Sequence, residues 1–284
     1  MEEPKRIQYS SDNPVLNNPY LEPKFHYDTD VDGNVDYSTI INGRRPYGYD
    51  ISIVPQKSKL VKALFTQEDF SSTNPNSDFI NGIRKEVKTW RTAGYPKASR
   101  ITKELLDFWF SNSQRLPQQR LFFCQQEAVE TAVWLNEIAD KDANMGNFYL
   151  RELQDRRHTV SNDDDDILPR TAFKMATGTG KTVVMAMLIL YHYLNKKANP
   201  MDTRYADHFL VCAPGITIRD RLGVLHLDNS QRSNNYDRSD YYHQRGLIPM
   251  QFEKELGGLN SCITIINYQQ FLRRTFSGKH ASPL

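Results

Sequence analysis

"RTAFKMATGTGKTVVMAMLILYHYLNK", residues Arg170–Lys196, sets a glycine-rich turn between two apolar runs of different kinds. Thr171 to Met175 has the length of a buried strand. Val183 to Leu194 is too long for a strand and apolar almost throughout, as expected of a helix packed on a sheet. The turn therefore joins strand to helix. Gly178 and Gly180 admit backbone angles that side chains disfavour, so successive N–H groups can point into one concavity at the helix start, where the macrodipole favours an anion. Lys181 adds a full positive charge, and the Thr182 hydroxyl suits the Mg²⁺ that rides on β- and γ-phosphates. Thr177 and Thr179 complete the turn, and the whole reads as a site for a nucleoside triphosphate. Met175 stands where G-x-x-x-x-G-K-[ST] has its first glycine, so the pattern is met in all but that position.

The rest of the chain sets bounds on this reading. Its 284 residues have room for one large or two modest domains, and 39% hydrophobic with 25% charged residues is an ordinary soluble composition. A net charge of +2 argues neither for nor against nucleic acid, because a binding groove needs local positive charge. Cys124, Cys212 and Cys262 lie far apart, the last two inside apparent core segments, which suits a reducing cytosol and argues against disulfides or zinc. The start "MEEPKRIQYS" has no apolar signal region, and Val183 to Leu190 is too short to cross a bilayer. The expectation is a cytoplasmic protein without a membrane partner.

Three regions follow from composition. Residues 1–75, rich in Pro, Asn, Asp and Tyr, read as loops and short hairpins. Residues 76–120 form a helical segment: Ser77 is a candidate cap for a helix with Ile80, Ile83, Val87 and Trp90 on one face, closed by Gly94 and Pro96, and a second helix carries Ile101, Leu105, Phe108 and Trp109. Residues 121–284 hold a helix from about Gln125, a polar linker over 139–170, the glycine turn, and the strands His208–Ala213 and Cys262–Asn267. Strands alternating with helices predict an α/β fold with a parallel, doubly wound sheet that binds ligands at the carboxyl ends of its strands.

Within "RLFFCQQEAVETAVWL", Gln125 opens a helix just after Phe122 and Phe123. An amide both donates and accepts, as the N6 and N7 edge of adenine requires, and either ring can stack on the base; a surface glutamine beside core aromatics is the plainer alternative. In "VCAPGITIRDRL", Pro214-Gly215 turns the chain sharply, and Gly215, Thr217 and Arg219 with the helix-start amides would grip phosphate, unless this is an ordinary loop with a solvated arginine. "INYQQF" offers Asn267 and Tyr268 to a nucleic-acid strand, or is a strand end capped by polar residues. Two other segments imitate metal sites. "DTDVDGNVDYST", Asp28–Thr39, has calcium-loop spacing, but Thr39 stands where a bidentate Glu is needed, so a hairpin turn is expected. Asp163–Asp166 precedes the glycine turn in a polar context and reads as a solvated linker.

"MATGTGKT", the upstream aromatic-Gln segment, "APGITIRDRL" and "INYQQF", in that order, resemble motifs Q, I, Ia and Ib of superfamily-two DEAD/DEAH-type helicases and translocases. "NPYLEPKFHYDTDVDGNVDYSTIINGRRPYGYD", "INGIRKEVKTWRTAGYPKASRITKELLDFW" and "RLFFCQQEAVETAVWLNEI" are similar to the N-terminal region of type III restriction endonuclease Res-subunit-like proteins, so the resemblance covers nearly the whole chain. It implies an incomplete first RecA-like domain that hydrolyses ATP with Mg²⁺ to move along double-stranded DNA. Gln125 and Thr177–Thr182 would hold ATP, with Lys181 and Thr182 catalytic and Thr182 on the metal. Gly215, Thr217, Arg219, Asn267 and Tyr268 would meet DNA. The resemblance leaves open whether a DNA-modification (methyltransferase) subunit is bound.

The family also expects an Asp-Glu box after Lys181, and no Asp-Glu pair occurs between Thr182 and Leu284. The chain is therefore expected to be an N-terminal piece that binds ATP without turning it over. The alternatives are a phosphate-loop enzyme of another class, such as a small-molecule kinase, and a nucleotide- or DNA-binding module that hydrolyses nothing.

Overall fold

The structure, a computed structural model, describes residues 16–29, 34–47, 75–111, 115–141, 145–158, 171–230 and 237–271. Its contacts fall into two compact units that interleave in sequence: residues 1–97 with 122–171, and residues 98–121 with 172–284. Among the described residues no helix is long and apolar enough to cross a membrane.

The first unit begins with an antiparallel hairpin, β1 (Phe25–Thr29) on β2 (Val35–Asn42), with a register shift between Tyr27 and Asp28. The calcium-like spacing of Asp28–Thr39 thus runs from the end of β1 into β2, in the hairpin expected there, and Asp30–Gly33 lie outside the described residues. Helix α1 (Pro75–Thr92) starts two residues before the expected cap, so Ser77 lies inside its first turn. It buries Phe79, Ile83, Val87 and Trp90 at steps of three and four; Phe79 replaces the expected Ile80, which is only half-buried. Gly94 ends the helix in a left-handed conformation (φ 75°), which lets Tyr95 N–H return to Trp90 O at 3.1 Å.

Three further helical pieces of this unit matter for the site. Helix α3 is reached through α2 (Arg100–Leu106), which belongs to the second unit. α3 (Phe123–Val133) packs on α1 and continues as a π-helical turn over Trp134–Ile138. Helix α4 (Met145–His158) lies inside the segment read as a polar linker, and Asp163–Asp166 lie outside the described residues. Tyr149 explains α4: it is buried edge-on against Phe79 (5.5 Å) and Trp134 (6.1 Å), an anchor that a mostly polar sequence conceals.

The second unit is organised around α5 (Lys181–Ala198), which is buried on almost every side because Val183–Leu194 carries no charged residue. Its main neighbours are α2, α7 (Tyr241–Gln244) and the 3-10 turns Leu222–Leu225 and Met250–Leu256, in place of the expected sheet. Asn195, fully buried, fastens α5 to the start of α2: it donates to Thr102 Oγ1 at 3.0 Å and to Tyr191 O at 2.9 Å, and accepts from the Ser99 hydroxyl.

Strands β3 (Phe209–Ala213) and β4 (Ile263–Asn267) pair in parallel, Phe209 opposite Ile263 and Ala213 opposite Asn267, joined through α6 (Ile216–Arg221) and later turns. The parallel pair is as expected. The third strand is not: Thr171–Met175 joins no sheet among the described residues, since an apolar run becomes a strand only beside a hydrogen-bonding neighbour and neither β3 nor β4 pairs with it. One face of this pair is also open, with Leu210 61% exposed and Cys212 exposed, so Cys212 is not the core residue its apolar strand suggested.

Candidate functional site

The glycine turn has the backbone its residue types call for. Gly178 (φ 80°) and Gly180 (φ 78°, ψ 43°) are both left-handed, and a Cβ at Gly178 would meet nothing within 4 Å, so glycine serves conformation there rather than packing. Gly180 is the N-cap of α5 and supplies no side-chain cap. The first intrahelical donor is Val183 N–H, to Gly180 O at 2.9 Å, so the amides of Lys181 and Thr182 precede the helical ladder.

One carbonyl organises the turn. Ala176 O accepts from Thr179 Oγ1 at 2.7 Å and from Lys181 Nζ at 2.9 Å, which folds the lysine ammonium back over the glycines. Thr177, Gly178 and Lys181 are exposed, and Thr179, Gly180 and Thr182 half-exposed. Uncapped helix-start amides, one ammonium and one hydroxyl form a donor set suited to a polyanion and to a hard cation carried with it. No group of three or more potential metal-ligating side chains occurs among the described residues. A metal held here would therefore take only the Thr182 hydroxyl from these side chains and the rest of its ligands from the nucleotide and water.

Gln125 lies in the other unit. It is 4% exposed, and its Oε1 accepts the Phe122 N–H at 2.8 Å, the return half of a capping box at the start of α3. The two rings expected near adenine have protein neighbours: Phe122 sits 5.3 Å from Tyr20, and the Phe123 ring has the guanidinium groups of Arg44 (5.5 Å) and Arg91 (5.3 Å) over it.

The residues expected at DNA divide by exposure. Because β3 and β4 are parallel and end in register, Gly215 and Tyr268 leave the same, carboxyl, end of the sheet. Thr217 is exposed, Tyr268 is 44% exposed, and Arg219 is half-exposed with its guanidinium on Asp220 at 2.8 Å. Asn267 is buried and accepts the Gln269 N–H at 3.2 Å, so it shapes the turn after β4. Sequence reading missed the Ala176 carbonyl, because a backbone acceptor carries no residue signature. It also missed the basic face of α1, where Arg84, Lys85, Lys88 and Arg91 recur at helical spacing.

The parallel pair joined through helices, with a glycine turn opening a long helix, is consistent with an α/β fold. The family model described as type III restriction enzyme, res subunit, matches residues 118–281, more than half of the chain and a span that includes Gln125, the glycine turn and both parallel strands. The chain belongs to that family. The family is one of DEAD/DEAH-like helicase domains, which implies a RecA-like α/β fold and ATPase-type hydrolase chemistry with ATP and Mg²⁺. No curated protein and no solved structure matches the chain.

Proposed function

We propose that the protein binds ATP at the Gly178–Thr182 turn and forms the nucleotide-holding part of a motor that moves along double-stranded DNA in the cytoplasm. The observation that carries this reading is the convergence of the Lys181 ammonium and the uncapped start of α5 on one exposed turn. Lys181 now rests on a neutral carbonyl; a triphosphate oxygen is the stronger acceptor, and a charge-assisted bond contributes about 1.5–3 kcal/mol. The exchange of Ala176 O for phosphate therefore favours binding and concentrates positive charge where the β–γ bond breaks. Thr182 would hold Mg²⁺, which when bound neutralises charge between the β- and γ-phosphates.

Gln125 reads adenine in this proposal by exchanging the Phe122 N–H for the N6 edge of the base, an acceptor-for-donor match that guanine O6 does not offer. Gly215, Thr217, Arg219 and Tyr268 meet the DNA backbone from the carboxyl end of the sheet, and Asn267 holds the turn that carries Tyr268. Competition of the four nucleotides against a fluorescent ATP analogue tests the reading. Wild type should prefer ATP over GTP, Gln125→Ala should erode the preference, and duplex DNA should shift ATP affinity because a motor couples its two ligands. Equal affinities for ATP and GTP in wild type would reduce Gln125 to a helix cap.

A further inference from the structure

Helix α1 has a second face. Arg84, Lys85, Lys88 and Arg91 follow Asn81 at steps of three and four, which stacks them along one side of the helix. Asn81 accepts the Tyr47 N–H at 2.8 Å and donates to Tyr47 O at 3.4 Å, which lays the segment Arg44–Tyr47 along this side. Together they line an open pocket of about 380 Å³ whose walls carry six cations, Arg44, Arg45, Arg84, Lys85, Lys88 and Arg91, beside Glu22 and Glu127.

Three of the six are compensated: Arg44 by a bidentate pair with Glu127, Lys88 by Glu22 at 3.0 Å, and Arg91 by the fully buried Glu130. The other three make no ion pair among the described residues. Arg45 donates to Thr29 Oγ1 at 3.2 Å, Lys85 is exposed, and Arg84 is stacked over Tyr47 at 5.6 Å. Burial and the neighbouring Arg44 charge hold the Arg84 guanidinium below its usual pKa against the opposing charge of Glu127, so a further anion beside it relieves both.

We propose that this pocket is a contact for the phosphodiester backbone of nucleic acid, built by the first unit outside the helicase-type motifs. The choice of a polymer rests on where the uncompensated cations stand: Arg84 and Lys85 on the helix and Arg45 on the segment Arg44–Tyr47 reach from two walls of the pocket, a spread that successive phosphates of one strand can fill and a single phosphate meets only in part. An arginine preset on an aromatic ring presents its donor fork to phosphate at little entropic cost. The choice of duplex DNA as the polymer rests on the motor reading above.

The test is anisotropy of a labelled duplex of about 20 base pairs with the 284-residue protein, titrated against KCl. Each phosphate contact contributes about 0.9 to the slope of log affinity on log salt. Arg84→Gln with Lys85→Gln should lower the slope by about 1.8 and weaken binding to unrelated duplexes equally, and Arg45→Gln, on the non-helical wall, by about 0.9. Circular dichroism and affinity for the ATP analogue should stay as in wild type. Unchanged slopes in both variants, or a wild type that binds no duplex, overturn the proposal. So does a double variant that loses affinity for inorganic triphosphate and keeps it for DNA, since the pocket would then be a small-anion site. Failure of the nucleotide reading is seen separately, as unchanged ATP-analogue affinity in Lys181→Ala.

Discussion

Helices α3 and α5 begin in opposite ways. α3 closes its own start: Gln125 turns back to the Phe122 N–H and is buried in doing so. α5 begins at a left-handed glycine with no side-chain cap, beside exposed Thr177, Gly178 and Lys181, although it is the more deeply buried helix along its length. A side-chain cap typically contributes about 1 kcal/mol to stability. α5 forgoes it and leaves its first donors directed at solvent. The contrast teaches that an open helix start on a well-packed helix is where a ligand is expected, because the packing behind it removes the need for a cap.

The largest effect should come at the open end. Lys181→Ala is expected to weaken a fluorescent ATP analogue by about 2–3 kcal/mol, roughly 30- to 150-fold, with the urea midpoint unchanged. Affinity within twofold of wild type would break the contrast, since the open start would then hold nothing.

His192 reports on the sealed part of α5. Burial holds its pKa down to about 4, against an ordinary 6.5. The folded state therefore resists protonation that the unfolded chain accepts near pH 6.5. The stability contributed is complete above pH 6.5 and falls as pH drops toward 4, by on the order of 2 kcal/mol at pH 5. Nδ1 of His192 accepts the Ala206 N–H at 3.4 Å, so His192→Asn, which keeps an acceptor, should flatten this dependence in thermal melts between pH 5 and 7.5. A slope that survives the substitution would place the titrating group elsewhere.

At the closed end, Gln125→Ala removes the return bond and should lower the unfolding free energy by about 1–2 kcal/mol in urea titrations. No loss would mean that α3 is as open as α5. The smallest effect is expected for Gly180→Ala, where a side chain in the left-handed region costs about 1 kcal/mol of stability; a neutral outcome would show that the turn relaxes to accept a Cβ.

What the sequence discloses here depends on whether a residue type is its own reason. Gly178, Gly180 and Lys181 are legible because left-handed backbone and a charge at a helix start are properties of those residues. β3 and β4 are legible to within one residue because each is a short apolar run bounded by polar turns. Thr171–Met175 is not, since strand pairing depends on a neighbour in space rather than on composition. α4 is hidden for a related reason: its residue Tyr149 is buried against partners far away in sequence. The stripe of arginine and lysine on α1 was in plain view, but an amphipathic reading attends to the apolar face and treats the opposite one as solvent.

The interleaving of the two units has a consequence for synthesis. Residues 98–121 belong with 172–284, and Leu105, Leu106 and Trp109 are buried in the finished fold. A ribosome adding about 5–20 residues per second delivers Leu190 of α5 roughly 4–17 s after Leu105. Through that interval α2 waits without its partner helix, while the first unit already has α1 and gains α3 in the order in which they emerge. The nascent chain thus carries Leu105, Leu106 and Trp109 for seconds before the helix that covers them in the finished fold has emerged.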